Sequence, residues 1–144
     1  MNDKATRLKA LCDRAVKKYT PDGDVTYCNS AVNFICVELG YKGFRGLVAN
    51  EMVDVMRKSP DFALVTPDDA QKLANDGRLV IAGIKEDEHG HVAVCYPGGE
   101  VTRSGKWREN APLIANVGKT NGVFNANWGF GLEAPKYYAW IEPV

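Results

Sequence analysis

Leu79-Val80-Ile81-Ala82-Gly83-Ile84, then a charged turn over residues 85–90, then His91-Val92-Ala93-Val94-Cys95-Tyr96, is the stretch whose reading decides the fold. Each apolar run has strand length and is rich in β-branched residues. The turn between them and Pro97-Gly98-Gly99 behind them are hairpin punctuation. Working outward from this hairpin, the chain changes character. Everything before it reads as helix. The segments after it, residues 100–103, 113–117 and 137–141, read as weaker strands. Helices first and strands second imply an α+β fold with an antiparallel sheet.

The helical half has clear periodicity. Residues 3–18 place Leu8, Leu11, Cys12, Ala15 and Val16 on one face and basic residues on the other. Pro21 and Gly23 break the chain. Residues 28–39 are apolar almost all round, which marks a central helix, and Gly40 is its stop. A third helix is expected over residues 48–57, ended before Pro60. Thr66-Pro67-Asp68-Asp69 opens a fourth: Thr66 can cap, Pro67 suits the first helical position, and the acids complement the dipole. The segment 121–131, with its amides, aromatics and glycines, reads as a long loop that could line a groove, with Trp128 as a contact for substrate.

At 144 residues the chain has the size of one domain and can bury a core without staples. Lys plus Arg total 18 and Asp plus Glu total 18, so the formal net charge is zero. Bulk charge therefore attracts neither nucleic acid nor an anionic membrane surface. No run is apolar enough to span a bilayer, and no apolar core follows Met1-Asn2-Asp3-Lys4 as a signal peptide would require. The expectation is a chain made in the cytoplasm that reaches any external target by secretion or lysis. With no heptad and no exposed apolar helix, a monomer is expected.

Cys12, Cys28, Cys36 and Cys95 have neither CxxC spacing nor the density of a disulfide scaffold. Cys28 differs from the others in standing where a turn-rich segment meets the central helix. A thiol there feels the positive end of the helix dipole and unpaired backbone N–H groups, both of which favour thiolate. Catalysis by such a thiol needs an imidazole, a polar group that orients the imidazole, and donors for an oxyanion. The two histidines of the chain are His89 and His91. His89 lies among Glu86, Asp87 and Glu88 in the turn and reads as exposed. His91 follows Gly90 at the start of a strand, sharing a face with Ala93 and Cys95. The small Ala93 leaves room there for a partner helix. For the orienting group, Asn110 and Asn116 are both candidates, with Glu109 behind them. A His-x-His zinc pair lacks a third ligand at convincing spacing. The competing reading is a binding module in which Cys28 is the first residue of a buried stripe.

Several pieces in order carry a resemblance over residues 24–122. They are Cys28 at the helix start, Glu38-Leu39-Gly40, Arg45-Gly46, Ala49-Asn50-Glu51-Met52-Val53-Asp54, Ala70-Gln71-Lys72-Leu73-Ala74, Leu79-Val80-Ile81-Ala82-Gly83 and Gly90-His91-Val92-Ala93-Val94. The chain resembles the first family of type VI secretion amidase effectors, within the NlpC-like, papain-like cell-wall peptidases. The resemblance implies a peptidoglycan peptidase that cuts the amide between γ-D-glutamate and meso-diaminopimelate. It implies Cys28 as nucleophile, His91 as base, and a third polar residue near Asn110. It implies no metal or organic cofactor, the stem peptides of peptidoglycan as substrate, a cell-wall or periplasmic place of action, and a cognate immunity protein that would plug the Cys28 groove. The chain departs from the common Cys-Ser-Gly of NlpC-like enzymes with Cys28-Asn29-Ser30, so Asn29 and Ser30 are expected to alter substrate fit or helix packing. Tyr27, just before the nucleophile, is placed beside the oxyanion. Phage lysins and other papain-like hydrolases or acyltransferases share these features.

Overall fold

The computed structural model describes residues 1–143. In chain order the elements are α1 (Asp3–Lys18), α2 (Cys28–Leu39), α3 (Ala49–Lys58), β1 (Phe62–Val65), α4 (Pro67–Asn75), β2 (Val80–Ile84), β3 (His91–Cys95), β4 (Thr102–Ser104), β5 (Glu109–Ala111), β6 (Leu113–Asn116), β7 (Gly122–Asn125), α5 (Ala126–Gly129) and β8 (Lys136–Trp140). The fold is α+β, as the sequence implies, and compatible with a papain-like arrangement. A six-stranded sheet runs β1-β8-β2-β3-β6-β7, and β4 and β5 form a separate two-stranded sheet. All of these pairings are antiparallel.

The helix ends follow the local chemistry. Asn2 Oδ1 accepts from the Ala5 N–H at 2.8 Å to cap α1, and Thr66 Oγ1 accepts from the Asp69 N–H at 3.1 Å to cap α4. Gly40 ends α2 with φ 106°, a left-handed conformation that glycine adopts without a Cβ clash. In contrast, α2 begins at Tyr27 with no side-chain cap. Its first N–H groups are left for another acceptor.

The central sheet has a core on each face. On one, α1, α2 and α3 pack Leu8, Val32, Ile35, Met52 and Val53 against Ile81, Val92, Val94 and Tyr138. On the other, Ala70 and Ala74 of α4, Ala111, Ala126 and Phe130 close over Val80, Ala82, Ala93, Cys95, Ile114 and Tyr137. The period-two alternation of β3 sets this division. It also corrects one expectation. The helix carrying Cys28 packs on the Val92/Val94 face, whereas Ala93 belongs to the opposite core.

A second correction concerns residues 121–131. They are not a loop but the edge strand β7 followed by the short α5, whose cap Asn125 accepts from the Asn127 N–H at 2.9 Å. The separate hairpin buttresses this segment: Lys106 Nζ donates to the carbonyls of Asn127 at 2.7 Å and Phe130 at 2.9 Å. Trp107 Nε1 adds a bond to the Gly131 carbonyl at 3.0 Å.

Candidate active site

Cys28 is the first residue of α2 and is half-buried. The backbone N–H groups of Val92, Asn29 and Cys28 itself favour its thiolate. Two of these are the orphan donors of an uncapped helix start. The third belongs to the residue directly after His91, so α2 delivers the thiol to the beginning of β3. Burial pushes the Cys28 thiol above its ordinary value, and the three N–H groups only oppose that rise. The helix start therefore acts in the direction the sequence implies, but desolvation outweighs it. The remaining thiols, Cys12, Cys36 and Cys95, are free and completely buried. Burial pushes each of them up much further.

His91 occupies the last rung of the β2–β3 ladder, opposite Ile84. Its ring stacks at a tilt on Phe130, with centroids 4.8 Å apart and 59° between the planes. His91 Nε2 lies 2.7 Å from Asn116 Oδ1. The other end of that amide is committed, because Asn116 Nδ2 donates to the Thr120 carbonyl at 2.9 Å. A carbonyl can only accept, so this bond fixes the amide's orientation. Oδ1 then faces the ring, Nε2 must carry the proton, and Nδ1 keeps the lone pair that can act as a base. Burial lowers the affinity of His91 for a second proton, opposed by the Asn116 hydrogen bond and more weakly by Glu86. At each group burial favours the uncharged form.

Of the two asparagines open as orienting groups, Asn116 is the one on the ring. It is buried, at the end of β6, which pairs with β3 through Val94↔Ala115 and Cys95↔Ile114. Extending that register one pair sets Asn116 opposite Ala93, diagonal to His91 on the same face. The small side chain of Ala93 leaves Asn116 free to lean toward the imidazole. Asn110 is placed elsewhere: β5 pairs with β4, and Asn110 Nδ2 donates to Asp68 Oδ1 of α4 at 3.0 Å.

An open cleft of ≈ 640 Å³ adjoins the thiol. Residues 24–30 form one wall, Val48, Ala49 and Asn50 another, and Glu88, His89 and Gly90 a third. Tyr27, Asn29 and Ser30 all line this cleft. Asn29 Nδ2 also donates to the Leu47 carbonyl at 3.2 Å, tying two walls together. The charged lining residues are Asp24 and Glu88, with no Lys or Arg among them. His89 is exposed on the rim. Trp128 lies outside these walls, on α5, 78% exposed. It is joined in sequence to Gly129, which abuts Asn116, and to the segment that brings Phe130 onto His91.

Sequence reasoning missed three supports of the site. Gly129 is so close to Asn116 that a Cβ there would stand 2.7 Å from Oδ1. Asn121 accepts from the Gly118 N–H at 2.9 Å and donates to the carbonyls of Val16 at 3.0 Å and Tyr19 at 2.9 Å. It thereby anchors the loop containing Thr120 to the end of α1. Asn50 donates to the Glu86 carbonyl at 2.7 Å and accepts from the Glu86 N–H at 3.2 Å. Among the described residues, no three His, Cys, Asp or Glu side chains are grouped to hold a metal ion, and no helix is long and apolar enough to cross a membrane.

A thiol at a helix start, and an imidazole at a strand start held by an amide, are residue types that cysteine hydrolases use. Part of the chain is similar to a cell-wall enzyme. Over 86 residues it is 40% identical to the peptidoglycan amidase Tse1 of Pseudomonas aeruginosa. That stretch is 60% of this chain and 53% of Tse1, so the chain spans about half the length of the curated relative it matches. No protein-family model matches the chain.

Proposed function

We propose that the protein is a cysteine amidase of bacterial cell walls that cleaves the γ-D-glutamyl–meso-diaminopimelate amide of peptidoglycan stem peptides. The observation that carries this reading is the junction at the start of β3. There Cys28, at the start of α2, lies by Val92, the residue after His91, whose Nε2–H is held by Asn116. The partial similarity to Tse1 supports peptidoglycan as the substrate. The particular bond is the one that the resemblance to the type VI amidase effectors implies.

In this reading His91 Nδ1 takes the Cys28 proton as the sulfur attacks the γ-glutamyl carbonyl. The backbone N–H groups at the start of α2 stabilise the growing negative charge. His91 then gives its proton to the departing amine, leaving a thioester. Water, deprotonated by His91, attacks the thioester and releases the glutamyl carboxylate, and the proton returns to Cys28. Burial disfavours a preformed ion pair, so in this reading the proton transfer accompanies the attack. An antibacterial effector delivered to the periplasm of another cell, restrained in its producer by an immunity protein over the Cys28 cleft, is the biological role that fits this chemistry.

Digestion of purified sacculi tests the proposal. Mass spectrometry of the soluble products should show new γ-glutamyl carboxyl and diaminopimelyl amino termini, absent with Cys28→Ala. Stem peptides left intact by the wild-type protein would rule out the cell-wall reading. Cleavage at another amide would rule out the bond assignment alone.

A further inference from the structure

His91 is the first residue of β3, an interior strand of the sheet, and is half-buried. Its pairing with Ile84 ends the β2–β3 ladder, and the β3–β6 ladder stops at Val94↔Ala115, short of His91. Ladder ends fray, because the terminal rung gains cooperative support from one side only. Catalysis tolerates little such freedom: a displacement of about 1 Å can cost on the order of 10²-fold in rate. A restraint beyond the ladder is therefore needed, and its position can be found.

Asn50 meets that need. It lies in the first turn of α3, and its amide makes a two-way bond with the backbone of Glu86, as donor to the carbonyl and acceptor from the N–H. This prolongs the hairpin's hydrogen bonding by one rung, with a side chain in place of a strand. The same amide presses on Gly90, the residue before His91: a Cβ at position 90 would collide with Asn50 Oδ1 and stand 2.5 Å from the Ile84 carbonyl oxygen. Asn50 therefore grips the β2–β3 turn from both ends, at Glu86 and at Gly90. One turn further along α3, Asp54 holds Lys85 by an ion pair of 2.8 Å, but both side chains are substantially exposed and such a pair contributes little.

We propose that Asn50 is a positioning residue for His91, locking the Gly90–His91 junction against α3 so that the imidazole keeps its place against Asn116 and Phe130. It acts through His91 and needs no contact with the reacting atoms. The inference concerns the position of the ring and is independent of which amide the enzyme cuts, although its kinetic consequence rests on the cysteine-hydrolase reading.

The test reads the ring directly. In protein labelled with nitrogen-15 at histidine, the His91 Nε2–H held by Asn116 should give a resolved proton resonance. In Asn50→Ala, exchange of that proton with water should accelerate at least 10-fold, and kcat on muropeptides should fall on the order of 10²-fold with KM within about twofold. Asn50→Asp keeps the acceptor for the Glu86 N–H and loses the donor, so it should fall between wild type and Asn50→Ala. It also provides a milder variant if the alanine protein folds poorly. Wild-type exchange in both variants overturns the proposal, as does an equal acceleration in Asp54→Ala, which would assign the effect to the turn as a whole. Accelerated exchange in a protein that leaves muropeptides intact supports the positioning role and removes the cell-wall reading instead.

Discussion

His91 Nε2 is 2.7 Å from Asn116 Oδ1, on an amide whose nitrogen is already spent on the Thr120 carbonyl at 2.9 Å. That commitment gives Asn116 one orientation and His91 one neutral tautomer. Asn116→Ala should therefore lower kcat by roughly 10²-fold, because the ring loses both its tautomeric bias and its fixed orientation. Asn116→Asp should behave differently. A carboxylate at that position favours imidazolium, raising the His91 pKa and moving the acid limb of the kcat/KM profile to higher pH. A pH–rate profile for each variant separates the two effects, and an unshifted limb in Asn116→Asp would count against His91 as the base.

A neutral resting pair, the state that burial favours at both groups, has its own signature. Because burial raises the Cys28 thiol, its alkylation by iodoacetamide should climb steadily from pH 6 through the ordinary thiol range of about 8.5. A thiolate–imidazolium pair would instead give a fast, flat rate across neutral pH. Stopped-time mass spectrometry of the Cys28 peptide distinguishes the two curves, since Cys12, Cys36 and Cys95 are fully buried and should alkylate only on unfolding.

Stability should depend on pH through the same histidine. A group whose folded pKa lies below its unfolded value sheds its proton on folding. His91 therefore stabilises the fold above its unfolded value of about 6.5, and that contribution is lost as the pH falls through 6.5 toward the lower folded value. His91→Gln should flatten the decline of the thermal midpoint between about pH 6.5 and 5. An undiminished decline in that variant would assign the acid sensitivity to other groups.

Gly129 and Asn110 make a paired test of which asparagine matters. In Gly129→Ala the new Cβ would stand 2.6 Å from Ile114 Cδ1 and 2.7 Å from Asn116 Oδ1. The Asn116 amide must shift, so activity should fall more than 10-fold alongside about 1–3 kcal/mol of stability. Asn110→Ala removes only an exposed bond to Asp68 and should change stability by less than about 1 kcal/mol, with kcat unaltered. Denaturant melts and muropeptide kinetics on both variants check this, and a large loss of kcat in Asn110→Ala would restore it as a candidate.

What was legible in the sequence, and what was not, divides by range. The limits of α2 follow from a continuous apolar stripe and a glycine stop, and those of α4 from Thr66 and Pro67, which are local signals. The strands β2 and β3 show as apolar runs because both of their faces are covered. The edge strands were invisible: β1 reads Phe62-Ala63-Leu64-Val65 with Leu64 65% exposed, and β7 is built around Gly122 and Asn125. Asn116 could not be preferred over Asn110 without knowing that β6, not β5, borders β3. Nor could the rise of the Cys28 thiol be foreseen. A helix start is written in adjacent residues, but desolvation depends on what packs there from distant parts of the chain, as the core of α1, α3 and the sheet does.

Trp128 bears on the extent of the substrate. Its ring is 78% exposed, on a helix pinned by Lys106 and adjoining the His91–Phe130 contact. Removing so exposed a side chain should cost little stability, within about 0.5 kcal/mol. The ring is held at low conformational cost on the histidine side of the site, where it can cover an apolar or sugar surface of a long substrate. Trp128→Ala should therefore raise KM several-fold on intact sacculi and leave kcat unchanged. On a short peptide spanning only the scissile amide, wild type and variant should be equal. Equal KM values on sacculi would confine substrate contacts to the Cys28 cleft.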